Sequence, residues 1–128
     1  MNNVYTVKIE EVSRELSAKE RIMFKDTTNA IKLDELTQES AEKVIVSPAI
    51  YGVLAIHNEK SEQNKDYKNF IIIDKDGTKY VTSSESFWNS FKDIADEMGG
   101  ETEEWSIEVY RVPSKNFKGK EFLNCSIM

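Results

Sequence analysis

One cysteine, one histidine, two prolines and five glycines are all that 128 residues contain of these types, and the first two scarcities exclude most chemistry. With Cys125 alone there is no intramolecular disulfide framework, and a reducing, cytoplasmic compartment is expected. A thiol nucleophile needs a base to form its thiolate, and His57 is the one imidazole on offer. Cys125 alternates with Leu123 and Ile127 and reads as a small core residue instead. His57 has no further His or Cys with which to hold a metal. Asp74-Lys75-Asp76-Gly77 lacks the later ligands of a calcium loop, and Gly99-Gly100 lacks the Lys-Ser/Thr of a phosphate loop. The chain is therefore expected to be neither an enzyme nor a carrier of a metal or cofactor. Long apolar runs are missing as well: none approaches the roughly 20 residues of a membrane helix. Met1-Asn2-Asn3-Val4-Tyr5 lacks the cationic start and apolar block of a signal peptide, so no membrane partner is expected.

What is present suits one globular domain. Hydrophobic residues make up 39% and charged residues 31%, enough to fill a core and too apolar for disorder. The net charge of −6 is unevenly spread. Glu85 to Glu104 holds seven acids and one lysine, whereas Trp105 to Met128 holds Arg111, Lys115, Lys118 and Lys120 against two acids. A phosphate feels the field within about 10 Å rather than the total charge, so an anionic chain can still present a cationic site.

Periodicity divides the chain. Tyr5, Val7 and Ile9 alternate as in a half-buried strand, and Ser17 with Glu20 has capping-box spacing ahead of a short helix over Ala18 to Phe24. Thr27-Thr28-Asn29 is a turn. Ile31 to Val46 is ambiguous: Ala30, Ile31, Leu33 and Leu36 suggest a short strand or turn, and Gln38 to Lys43 a helical turn. Val44 to His57 reads as one long strand bent at Pro48 and Gly52. Asn58 to Lys68 is a solvated loop, Phe70 to Asp74 a strand, Asp76-Gly77 a hairpin turn and Lys79 to Thr82 the returning strand. Thr82 and Glu85 stand as N-cap and reciprocal partner before Phe87, Phe91, Ile94, Ala95 and Met98 at helical spacing. Trp105 to Val112 and Phe122 to Met128 are strands joined by a loop over Pro113 to Glu121.

From residue 44 the order is strand, strand, strand, helix, strand, strand. That is the order of an oligonucleotide-binding barrel, an OB fold: mainly β with α, five strands, and a helix between strands three and four. Residues 1–128 are expected to form a single domain, with 1–43 as an N-terminal α/β extension and 44–128 as the barrel. The two long polar loops fall where that fold clamps a nucleic-acid strand.

Four cations, Arg111, Lys115, Lys118 and Lys120, surround Phe117. Single strands are held by cations along the phosphates and by aromatic faces under the bases, the latter contributing about 1–3 kcal/mol per base. A basic hairpin loop around a half-buried Phe117 would share the pattern; the predicted barrel favours the binding reading. Tyr110 is out of phase with Trp105, Ile107 and Val109 and so faces outward as a stacking candidate. Tyr67, Lys68 and Lys79 on the middle hairpin complete the candidates. For Phe70, Tyr80 and Trp88 the pattern permits either core or stacking roles.

Tyr80-Val81-Thr82-Ser83-Ser84-Glu85-Ser86-Phe87, then Phe91-Lys92-Asp93-Ile94, then Pro113-Ser114-Lys115-Asn116-Phe117-Lys118-Gly119-Lys120-Glu121-Phe122-Leu123, resembles small single-stranded DNA-binding proteins and related proteins of bacteriophages and mobile elements of Gram-positive bacteria. The resemblance runs from Tyr67 onward, and its specific part is the Ser-Lys-Asn-aromatic-Lys-Gly-Lys loop before a Phe-Leu strand. It implies a non-catalytic barrel that coats single-stranded DNA during replication or recombination, with proteins of those processes as further partners. Lys115, Phe117, Lys118 and Lys120 inherit a binding role from it. The alternative expectation is a phage-encoded inhibitor that binds a host protein through the acidic 85–104 surface as a DNA mimic. Oligomeric state is left open by the sequence.

Overall fold

The computed structural model describes residues 5–39, 43–60, 65–99, 104–113 and 121–128. It is mainly β with helices, in two sheets. The elements are β1 (Tyr5–Val12), α1 (Ala18–Lys25), β2 (Ile31–Lys32), α2 (Leu33–Glu39), β3 (Val44–Val46), β4 (Pro48–Asn58), β5 (Asp66–Asp74), β6 (Lys79–Thr82), α3 (Glu85–Met98), β7 (Ile107–Pro113) and β8 (Glu121–Ile127). A five-stranded sheet runs β1-β4-β5-β6-β2 and a three-stranded sheet runs β3-β7-β8. All pairs are antiparallel except β2 with β6.

The stretch expected as one bent strand is two strands in different sheets. β3 pairs with β7 (Val44↔Val109, Val46↔Ile107), while β4 pairs with β5 from Pro48↔Asp74 to His57↔Asp66. The break falls at Ser47, whose amide donates to Asp74 Oδ2 at 2.7 Å and whose hydroxyl meets that of Ser106 at 2.6 Å. Pro48, lacking a donor, cannot carry an unbroken ladder on both edges. At Gly52 the register with β5 is continuous, from Tyr51↔Ile72 to Val53↔Phe70. Gly52 allows close approach: a Cβ there would lie 2.3 Å from the Glu11 carbonyl oxygen and 3.0 Å from Cζ of Phe24.

Alternation along β4 and β5 sends side chains to opposite faces of the larger sheet. Val53, Phe70 and Ile72 join Phe87, Trp88, Phe91 and Ala95 of α3 in one core, which continues into the smaller sheet through Val46, Ile107, Val109, Leu123 and Cys125. Leu54, Ile56, Ile71 and Val81 form a second core under Leu16 and Phe24. The N-terminal segment is thus built into the sheet: β1 pairs with β4 along seven positions from Tyr5↔Asn58 to Val12↔Gly52, and Leu33 of α2 is buried in the first core.

Local chemistry explains most boundaries. Ser17 and Glu20 form the expected capping box, and Arg14, 2.6 Å from Glu20, holds that carboxyl down to about 2. The α3 cap is corrected from Thr82 to Ser84, whose Oγ accepts from Phe87 N at 3.2 Å. Thr82 is buried instead; its hydroxyl donates to Asp34 Oδ2 at 2.9 Å and accepts from Ser84 N at 3.1 Å. A helix occupies Leu33–Glu39 rather than starting at Gln38, because Leu33 is anchored in the core. β5 begins at Asp66, so Tyr67 and Lys68 lie on a strand and not in the expected loop. The Asp74–Gly77 turn forms as expected, with Gly77 at φ 93° and its amide on the Asp74 carbonyl at 2.9 Å.

The expected closure of a five-stranded barrel is not found among the described residues. β6 takes β2 as its outer neighbour, and β8 pairs with β7 alone. Two residues from the N-terminal segment, Ile31 and Lys32, occupy the edge that a closing strand would need.

Candidate nucleic-acid interface

Lys115, Phe117, Lys118 and Lys120 lie outside the described residues, but their anchorage is defined. β7 and β8 pair through Pro113↔Glu121, so residues 114–120 connect two strand ends that are paired with each other.

The candidates within the described residues are mostly engaged by other parts of the protein. Arg111, on β7, turns toward α2: its Nη2 donates to the Asp34 carbonyl at 2.5 Å and its Nε to Thr37 Oγ1 at 3.1 Å. It clasps a helix. Lys79, on β6, donates its ammonium to the carbonyls of Met23 and, at 2.6 Å, Asp26. That caps the C-terminus of α1, where last-turn carbonyls are unsatisfied and the helix dipole favours a cation. Burial lowers the Lys79 pKa against the charge of Asp26. Tyr110 is half-buried and hydrogen-bonds across the strand pair to the Ser126 hydroxyl. Tyr67 packs at the edge of the second core, while Lys68 is exposed and 3.1 Å from Glu10.

The three aromatics with two readings divide cleanly. Phe70 and Trp88 are buried and stack on each other, with centroids 5.0 Å apart and planes at 13°. Tyr80 is half-buried against the same core, and burial followed by the nearby Asp74 and Asp76 charges raises its pKa. Cys125 is buried and its thiol is pushed up to about 12, far from a nucleophile's range. No group of His, Cys, Asp and Glu able to hold a metal occurs among the described residues, and none of the described helices is long and apolar enough to cross a membrane.

Strand pairing also assembles a surface that the sequence does not reveal. Cross-strand rows run Thr6–His57–Asp66 and Lys8–Ala55–Lys68 over β1, β4 and β5. They line a cavity of about 440 Å³ on the end of the sheet, with the small Ala55 between the two lysines. His57 is gripped on both nitrogens, Nδ1 by Asp66 at 2.7 Å and Nε2 by Glu59 at 2.5 Å. Only the doubly protonated imidazolium can donate to both, and these bonds, Asp66 first, raise its pKa. Lys65 joins the cluster 3.2 Å from Glu59. The signal in the sequence was the alternation of Thr6 and Lys8 against Val7 and Ile9. What it withheld was that this strand lies beside β4.

The chain matches no protein-family model, and no curated protein or solved structure is significantly similar to it.

Proposed function

We propose that the protein binds single-stranded DNA without strong sequence preference, in the replication or recombination of a phage or mobile element. The supporting observation is the order of strand neighbours. Read as β8-β7-β3/β4-β5-β6, with α3 between β6 and β7, these strands pair in the circular order of an OB barrel except at the closing pair, while β1 on β4 and β2 on β6 are neighbours outside that order. In this reading the fold is an OB variant left open between β6 and β8. The DNA is held by Lys115, Phe117, Lys118 and Lys120 on the β7–β8 hairpin. The row of Lys8 and Lys68 beside Ala55 offers a second run of phosphate contacts. Arg111 and Lys79 maintain helices α2 and α1 in this scheme and carry little of the affinity. No catalytic group is required.

The test is anisotropy of labelled oligo-dT at two salt concentrations, a probe independent of the buried Trp88. Affinity should fall with salt, and Lys115, Lys118 and Lys120 replaced together by alanine should lower the log–log slope by about 0.7 for each phosphate that is no longer neutralised. An oligo-dT that shows no binding at low salt refutes the reading.

A second reading, an inhibitor that binds a host protein as a DNA mimic, draws on the exposed carboxylates of Glu85, Asp93, Asp96 and Glu97 along α3. It predicts that reversing Glu101, Glu103 and Glu104 abolishes host-protein binding and leaves oligo-dT affinity intact or improved.

A further inference from the structure

Two surfaces on opposite sides of the molecule complement each other in charge and apolarity. On α1, Phe24 alone is buried, which leaves Ile22 (68% exposed) and Met23 (59% exposed) facing solvent. At about 100° per residue, the arc opposite Phe24 holds in order Lys25, Ala18, Ile22, Lys19 and Met23, and it excludes Glu20, which is engaged by Arg14. Ala18 and Ile22, one turn apart, form an apolar strip between Lys25 and Lys19, with Met23 beyond Lys19. The flank of α3 is its counterpart: Ile94, Met98 and Ile127 line a shallow cavity of about 410 Å³ edged by Asp93 and Glu97. Ile127, at 47% exposed, departs from the buried pattern of Leu123 and Cys125, so among the described residues nothing covers this end of the core.

The two surfaces cannot meet within one chain. α3 packs with Val53, Phe70 and Ile72 on one face of the larger sheet, and α1 packs with Leu54, Ile56 and Ile71 on the other. Complementary patches on opposite faces make a heterologous contact, which propagates as an open chain or closes as a ring instead of forming a two-fold dimer.

We propose that the protein self-associates head to tail, with Ala18 and Ile22 of one copy seated in the Ile94–Met98–Ile127 cavity of the next. Lys19 and Lys25 then face Asp93 and Glu97. The partner is a second copy of this chain. The contact stands whether or not the protein binds DNA; if it does, each bound copy places the docking surface for the next, the basis of cooperative coating along a strand.

Sedimentation velocity of the full chain, without nucleic acid, tests this. The average mass should rise with concentration past that of a dimer and fall with added salt. Lys19→Glu with Lys25→Glu, or Asp93→Lys with Glu97→Lys, should each weaken association about tenfold or more through like-charge contact. Mixing these two variants, or combining all four substitutions in one chain, should restore it. All four sites are exposed or on a helix surface, and circular dichroism matching the native chain confirms that each variant folds. A native chain that remains monomeric at every concentration overturns the proposal. So does a mass that stops at a dimer, or reversal variants that associate as the native chain does.

Discussion

The two faces of the five-stranded sheet are covered by very different helices. α3 brings four buried residues, and around Phe91 four other rings gather: Tyr51 and Trp88 at 5.0 and 5.1 Å, Phe87 and Trp105 at 6.1 Å. α1 brings one, Phe24, over a surface that is aliphatic apart from Tyr67 at its edge. Neighbouring residues of the same strands supply both faces, so the difference arises in the helices. One layer is an interlocked aromatic core; the other is a cover held by a ring, a lysine cap and an N-terminal box.

The contrast is broken most directly by truncating each anchor. Phe91→Ala should destabilise by about 3–5 kcal/mol in urea unfolding, toward the upper end because the surrounding rings cannot collapse into the space. Phe24→Ala should cost about 3 kcal/mol, with a different signature. Amides of α1 should exchange rapidly while those of α3 keep their protection, the behaviour of a separately opening layer. Equal costs, or α1 amides that stay protected, would show that the two layers act as one.

Helix caps sharpen the same comparison on a smaller scale. Ser84→Ala should cost about 1 kcal/mol because it loosens the start of the helix that carries the main core. Ser17→Ala should cost about half that, since α1 contributes less burial to the native state. Thermal denaturation of both variants decides the ranking, and a larger effect at Ser17 reverses it.

The smallest expected effect lies at the cavity end of the sheet. The folded-state pKa of His57 is raised above its unfolded value by Asp66 and then Glu59. Its contribution to stability is therefore fully present below about pH 6.5 and is lost as pH rises through the folded value. His57→Gln should erase a small fall in melting temperature between pH 6 and pH 9. NMR titration of the ring should give a midpoint above that of a free imidazole.

How much of this was legible follows from which interactions are local. The capping box at Ser17, the Asp74–Gly77 turn, the α3 stripe and the inward Cys125 each depend on residues a few positions apart, and all appear in the structure. Ser84 displaced Thr82 because Thr82 is drawn to Asp34, 48 positions away. Arg111 and Lys79 looked free because their partners are backbone carbonyls at separations of 77 and 53, and any residue type supplies a carbonyl. The open side between β6 and β8 was illegible for a similar reason. The short strand suggested around Ile31 is present as β2, but nothing in Ile31-Lys32 names β6 as the edge it joins.

Ser47 gives the architecture a single corner. Its amide is tied to the Asp74 carboxylate, its carbonyl accepts from Lys75 N at 2.9 Å, and its hydroxyl reaches Ser106 just before β7. Beyond it on one side, β4 runs along β5; on the other, β3 lies against β7. One serine thus carries hydrogen bonds to both sheets, to Asp74 and Lys75 at the end of β5 and to Ser106 at the start of β7, so the hinge between the sheets is fastened at a single residue.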